Sequence, residues 1–225
     1  MLKIRWLGQG GYILSDGKTE ICIDPYLSDV VNRVANRPRT RAVPISPEEL
    51  CSDIVICTHN HLDHIDIDAI PQMKKEDKLF LAPSDCEGVL RELGVMNFKA
   101  FDEGSVHTVG DFKLTACFAE HSVPAIGVLV EYGGQILYFS GDTLYNEKLE
   151  DIRCDFMFIC INGRLGNMNV EEATRLAKII KPALAVPNHY DMFESNSEDP
   201  EKFEPDRRVI MEFNKEYEVG KKCLI

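Results

Sequence analysis

The chain has 225 residues, of which 44% are hydrophobic and 28% charged, so it is long enough to bury a core of its own and is expected to form one domain, 1–225. Its formal net charge of -12 disfavours nucleic acid as a partner but leaves room for a local cationic pocket that takes a small anion. No apolar run approaches the ~20 residues that span a bilayer, and the N-terminus lacks the apolar core of a signal peptide, so no membrane association and a cytoplasmic location are expected.

In chain order, β-type runs are predicted at "LKIRWL", "EICID", "DIVICT", "KLFLA", "DFKLTACF", "AIGVLVEY", "QILYFS", "DFMFICI" and "ALAVP". The stretch from Ser28 to Pro47 carries Arg33, Arg37, Arg39 and Arg41 and reads as a long surface loop, a candidate lid. A short helix is expected from near Leu62. "SDCEGVLRELG" has a capping box in Ser84 and Glu87 and ends at Gly94. "VGD" at Val109–Asp111 and "YGGQ" at Tyr132–Gln135 read as tight hairpin turns. "NVEEATRLAKIIKP" repeats the capping device with Asn169 and Glu172 and stops before Pro182. A last helix is predicted beyond Pro205. Hairpins mixed with strand–helix–strand units imply an α+β fold of two mixed sheets with helices outside. The eight cysteines form no C-x-x-C pair and read as reduced, mostly buried thiols.

The densest chemistry lies in "THNHLDHID", Thr58–Asp66, which holds half of the six histidines. Residues two apart in an extended segment project to one side, so His59 and His61 converge as the strand "DIVIC" ends. Asp63 and His64 follow in a different direction, which suits a second metal beside the first; imidazole and carboxylate together suit borderline ions. Surface histidines at a loop are the plainer alternative. Four ligands do not complete two sites, and three more candidates each follow an apolar run: His121, Asp142 and His189. His107, ahead of a turn, reads as a surface residue or one that supports a ligand, not as a ligand. Asp66 reads as a carboxylate at a helix start.

Together "ICIDP", "THNHLDHID", "AEHS", "YFSGDT" and "PNHY" resemble the metallo-β-lactamase fold superfamily of metal-dependent hydrolases over most of the chain. The resemblance implies an αββα sandwich with a dinuclear site along the sheet edges. By position, His59, His61 and His121 would hold one metal, Asp63, His64 and His189 the other, and Asp142 would bridge them. Asp24 would orient a ligand, or else is only a turn residue before Pro25. Within the superfamily the look is closest to the L-ascorbate-6-phosphate lactonase-like group, through "RWLGQGGYIL", "SGDT", "INGRLGNMN" and "PNHYDMFESNSEDPEKF".

These expectations point to a hydrolase that uses two divalent ions, Zn or Mn or alternatively Fe, to generate hydroxide and cleave a small, anionic ester or lactone such as a sugar-phosphate lactone. Asp63 is the candidate proton acceptor. Arg164 in "INGRLG" is a candidate for a substrate anion, with Asn162 and Tyr190 as further substrate contacts. Arg39 and Arg41 read as a solvated loop rather than as ligand groups. The alternatives are a phosphodiesterase or nuclease on small substrates, a non-catalytic metal-binding protein and a mononuclear iron oxidoreductase. A homo-oligomer is compatible with the sequence.

Overall fold

Thirteen strands form two mixed sheets in a computed structural model that describes residues 1–225, the side chain of Asn196 apart. The first sheet has seven strands: β1 (Lys3–Gly8), β2 (Gly11–Ser15), β3 (Glu20–Ile23), β4 (Ile54–Ile56), β5 (Leu79–Ala82), β6 (Phe98–Ala100) and β13 (Glu216–Glu218), in the order β13-β1-β2-β3-β4-β5-β6. The second has six: β7 (Val106–Val109), β8 (Phe112–Phe118), β9 (Ile126–Tyr132), β10 (Gln135–Phe139), β11 (Phe156–Cys160) and β12 (Leu184–Asn188), in the order β12-β11-β10-β9-β8-β7. Each sheet is antiparallel on one side and parallel on the other, from β3 to β6 in the first and from β10 to β12 in the second.

Period-two alternation explains how the sheets pack. Ile4, Trp6, Tyr12, Leu14, Ile21 and Ile23 of the first sheet join Leu114, Val128, Val130 and Phe158 of the second in one buried core. Their in-between neighbours Ile13, Cys22, Val55 and Phe80 face outward and pack with Leu90 of α2 (Glu87–Glu92). On the other outer face, α3 (Val170–Ile180) buries Val170, Ala173, Leu176 and Ala177. Each fully buried large apolar side chain contributes ~1.5–3 kcal/mol of transfer free energy. Helices on both outer faces complete the expected αββα sandwich. Both expected hairpins form, with Tyr132 opposite Gln135 and Val109 opposite Phe112. At Gly133 and Gly134 the φ values of 57° and 78° match the primed turn that Gly-Gly favours.

Several expectations are corrected. No helix begins near Leu62; one turn closes there when the amides of His64 and Ile65 donate to the His61 carbonyl at 3.0 and 2.7 Å. Asp66 starts no α-helix, but its carboxylate caps the turn that leads into the short 3-10 helix Ile70–Gln72, accepting the Asp68 amide at 3.1 Å. It is fully buried and accepts from the amides of Leu27 and Ala69, both at 2.9 Å, and from the Ser28 hydroxyl at 2.6 Å. No α-helix follows Pro205, because that segment pairs with the sheet instead: Val209 N donates to the Ala185 carbonyl at 3.0 Å and Asn214 N to that of Trp6 at 2.8 Å. The Ser84 capping box does not form, since Ser84 donates its amide and hydroxyl to Asp102. The box at Asn169 and Glu172 does.

The stretch Ser28–Pro47 is not all loop. It contains α1 (Val30–Ala35), whose Val30 and Val31 pack with Tyr26, Met192 and Phe193. Arg39 lies 4.3 Å over the Tyr26 ring and donates to the carbonyls of Tyr26, Ser28 and Arg41 at 3.0, 2.7 and 3.1 Å. Arg41 pairs with Asp191 and Arg33 with Asp68. These three arginines cross-link the segment. Among the described residues, no helix is long and apolar enough to cross a membrane, and all eight cysteines are free.

Candidate metal centre

The ends of four strands meet at one edge of the sandwich. His59 follows β4, His121 follows β8, Asp142 follows β10 and His189 follows β12. His61, Asp63 and His64 arrive on the turn after β4. Backbone with no ladder partner at a strand end is free to aim side chains into a common space without disturbing the core.

All seven side chains come together. Three groups each place one donor atom per residue within 4.8 Å of the others: His59, His61 and His121; His59, His64 and Asp142; Asp63, His64 and His189. The middle group shares His59 with the first and His64 with the third, so Asp142 stands where the two outer groups join. Its Oδ1 is 3.3 Å from His64 Nε2 and 3.0 Å from His189 Nε2. His121 Nε2 is 3.2 Å from His61 Nδ1, and His189 Nε2 is 3.5 Å from Asp63 Oδ2. Among the described residues, His59 Nε2, His64 Nε2 and Asp142 Oδ1 are buried without a hydrogen-bond partner. Buried polar atoms are rarely left so, and a cation coordinated by this donor set would satisfy them. The residues present therefore fit divalent metal.

The electrostatics fit as well. Burial lowers the pKa of His59, and the neighbouring imidazoles of His64, His121 and His61 add to the effect, so it stays neutral and able to donate a lone pair. Burial also works to lower His189, but the charge of Asp142, together with Asp63, overcomes it and raises the pKa to about 9. His64 is likewise raised against the effect of burial, by Asp24, Asp142 and Asp63. Burial pushes the Asp63 and Asp142 carboxyls upward, yet the His64 and His189 charges hold both below the usual carboxylate range.

The supporting contacts orient these groups. Asp24, directly after β3 at φ 45°, receives the Thr58 amide and hydroxyl at 2.7 Å each and contacts His64 Nδ1 at 2.8 Å. That fixes the His64 ring with Nε2 toward the cluster. Asn167 Nδ2 donates to Asp142 Oδ2 at 2.9 Å, and His121 Nδ1 lies 3.0 Å from the Gly166 carbonyl. Gly166 has φ 90° and an added Cβ would fall 2.8 Å from His121 Nδ1, so glycine is required for this approach. Gln9 Nε2 donates to Asp63 Oδ2 at 2.8 Å.

The family described as Beta-lactamase superfamily domain matches residues 19–190, a span that runs from just before β3 to the residue after His189. The chain belongs to the metallo-β-lactamase superfamily. It is 32% identical over 214 residues to a UPF0173 metal-dependent hydrolase of Thermoplasma acidophilum, with 90% of this chain and 89% of that protein covered. The family is therefore that of the UPF0173 metal-dependent hydrolases. Among solved structures, the metallo hydrolase Igni18 of Ignicoccus hospitalis superposes with a TM-score of 0.78 at 20% identity, over 97% of this chain and 99% of the other. An isothiocyanate hydrolase from Delia radicum gut bacteria does so with 0.79 at 19% identity, over 95% and 98%. Both share the fold.

The other predicted residues of this superfamily member are placed differently. Tyr190 is buried in the core with its ring 5.1 Å from that of Trp6, so it packs beneath the site rather than reaching into it. Asn162 is buried on the β11–α3 loop with both amide atoms unpartnered among the described residues. Arg164 stands exposed on the same loop with no ion pair among the described residues. His107 lies on β7, with its Nδ1 3.3 Å from Lys99 Nζ and away from the cluster. A groove of about 660 Å³ opens beside His121, and Asp102, Glu103 and Glu120 make its wall acidic. Gln9 and Asn167 were not predicted from the sequence, although both stand beside glycines, in "GQGG" and "RLGN".

Proposed function

We propose that this protein hydrolyses a small ester or lactone with two divalent metal ions, in which His59, His61 and His121 hold one ion, Asp63, His64 and His189 the other, and Asp142 bridges them. The observation that carries this reading is the overlap of the three donor groups through His59 and His64, with Asp142 between them. The His and Asp donors suit Zn or Mn and admit Fe. When bound, such ions supply Lewis-acid activation of water and of the scissile carbonyl.

The protein's own groups supply the rest. Asp63, kept ionised by the imidazoles beside it, accepts the proton of the attacking water. Asp24 and Asn167 keep His64 and Asp142 in place, so little reorganisation accompanies the reaction. Arg164 receives an anionic group of the substrate, and the unpartnered amide of Asn162 is the second polar contact on that loop. The acidic groove beside His121 is left to the uncharged part of the substrate. A sugar-phosphate lactone has this division of charge. The free thiols are in keeping with a cytoplasmic setting.

Bound metal per chain and turnover on matched panels of lactones and phosphodiesters test the reading. Two ions with lactone or ester cleavage are expected. One iron per chain without hydrolysis overturns it, and cleavage confined to phosphodiesters replaces the substrate class.

A further inference from the structure

The turn between β1 and β2 reads "GQGG", Gly8–Gly11, and the only side chain among these four residues is not where a solvent-facing turn would put it. Gln9 is buried, at φ 49°, in the left-handed region that non-glycine residues adopt reluctantly. Two donors hold it there: Trp6 Nε1 and His189 N both donate to the Gln9 carbonyl, at 3.0 and 3.1 Å. Its amide group then reaches Asp63 Oδ2 at 2.8 Å and comes within 3.4 Å of His189 Nε2. Next to it, a Cβ on Gly10 would stand 3.2 Å from both Asp24 Oδ2 and His64 Cε1, tighter than side chains normally pack. The turn is thus pressed against Asp63, His64, His189 and their support. Among the described residues it makes no hydrogen bond to His59, His61 or His121. Backbone strain of this kind persists where surrounding structure over-determines it, as at functional positions.

We propose that Gln9 is a positioning residue for the second metal position alone. Its side-chain amide donates to one lone pair of Asp63 Oδ2 and leaves the other free for an ion, while its carbonyl fixes the backbone from which His189 projects. The inference rests on the two-ion reading above. Removing a contact that orients a ligand typically lowers metal affinity by ~10–100-fold, and here the loss falls on one ion of the two.

The test is calorimetric titration of the metal-free protein with Zn²⁺, backed by bound zinc measured after gel filtration, for wild type and for Gln9→Met, which keeps length and removes the donor. Wild type takes two ions. Gln9→Met takes the first with unchanged affinity, which also reports that the site has folded, and binds the second ~10–100-fold more weakly. Gln9→Ala behaves the same way. Two ions bound by Gln9→Met as tightly as by wild type overturn the inference, and so does an equal loss of both. A wild-type protein that takes one ion overturns the two-ion reading and the inference with it.

Discussion

Metal uptake by the metal-free protein should release protons, and its affinity should fall steeply as the solution is acidified. His189 carries the quantity. Its folded, metal-free pKa is raised to about 9 because Asp142 and Asp63 outweigh the effect of burial. A ligating imidazole must be neutral, so below pH 9 an ion has to displace that proton. At pH 7 the displacement spans about 2 pH units, or ~2.7 kcal/mol at 1.36 kcal/mol per unit. The apparent affinity should then drop about tenfold per unit from pH 8 to 6 on account of His189, and more steeply if the raised His64 also gives up a proton. Calorimetry at pH 7 in two buffers of different ionisation enthalpy counts the protons released, and at least one per chain is expected. The same shift bears on stability without metal. His189 is raised above its unfolded value of ~6.5, so its contribution is fully present below ~6.5 and is lost as pH rises through about 9. The metal-free melting temperature should therefore decline over that window, and the metal-loaded one should not follow it. Zero protons released, together with an affinity flat from pH 6 to 8, would refute the assignment of a charged His189 to the metal-free protein.

Three further outcomes are expected. Asp142→Ala removes the group that, on the two-ion proposal, both ions would share, so bound metal should fall below one ion per chain and activity should vanish; surviving turnover would mean that Asp142 does not bridge. Asp24→Asn keeps the shape but removes the charge that orients His64, and metal affinity measured against a competing chelator should fall by ~10–100-fold. Tyr190→Phe retains the packing on Trp6 and should leave kcat and KM on the best panel substrate unchanged, whereas a rise in KM would return Tyr190 to the substrate site.

The strands were legible because their apolar residues alternate or run unbroken, and the candidate ligands because they either follow such a run, as His59, His121, Asp142 and His189 do, or cluster right behind His59. The segment Arg207–Phe213 misled for a physical reason. Its pattern admits an amphipathic helix, but its backbone is taken up by Ala185 and Trp6, partners more than twenty residues away that no local pattern encodes. Four strands, β2, β6, β7 and β13, were missed likewise; β2 is five residues with four buried, and its pairing follows from the tight GQGG turn before it. β6 and β13 have three residues each, and β7 alternates exposed with half-buried positions, so none gives a strong apolar signal. The arginines of the Ser28–Pro47 stretch looked solvated because a guanidinium spent, like that of Arg39, on carbonyls two to thirteen residues distant is indistinguishable in sequence from one spent on water.

The site was only partly legible, and the division has a cause. Metal ligands must be His, Asp or a few other types, so chemistry restricts their identity and their clustering stands out. The groups that orient them face no such restriction: an amide, a hydroxyl or a main-chain carbonyl serves equally, and this site uses Asn167, Thr58 and the Gly166 carbonyl. Backbone geometry sets apart three residues around the second triad. Gln9, Asp24 and His189 all have φ between 45° and 58°, and all three lie at the second triad. None is glycine, although each occupies a conformation that glycine would adopt more readily. A chain that bends against its preference at three places around one triad is using the stability of the rest of the sandwich to keep Asp63, His64 and His189 at fixed separations. That favours binding an ion over admitting water, since a flexible set of the same residues could relax its unpaired atoms toward solvent. The first triad shows no positive φ at His59, His61 or His121 and is the more open, with His61 and His121 half-buried. The groove beside His121 adjoins this more open first triad, whereas the second is the one the strained backbone encloses.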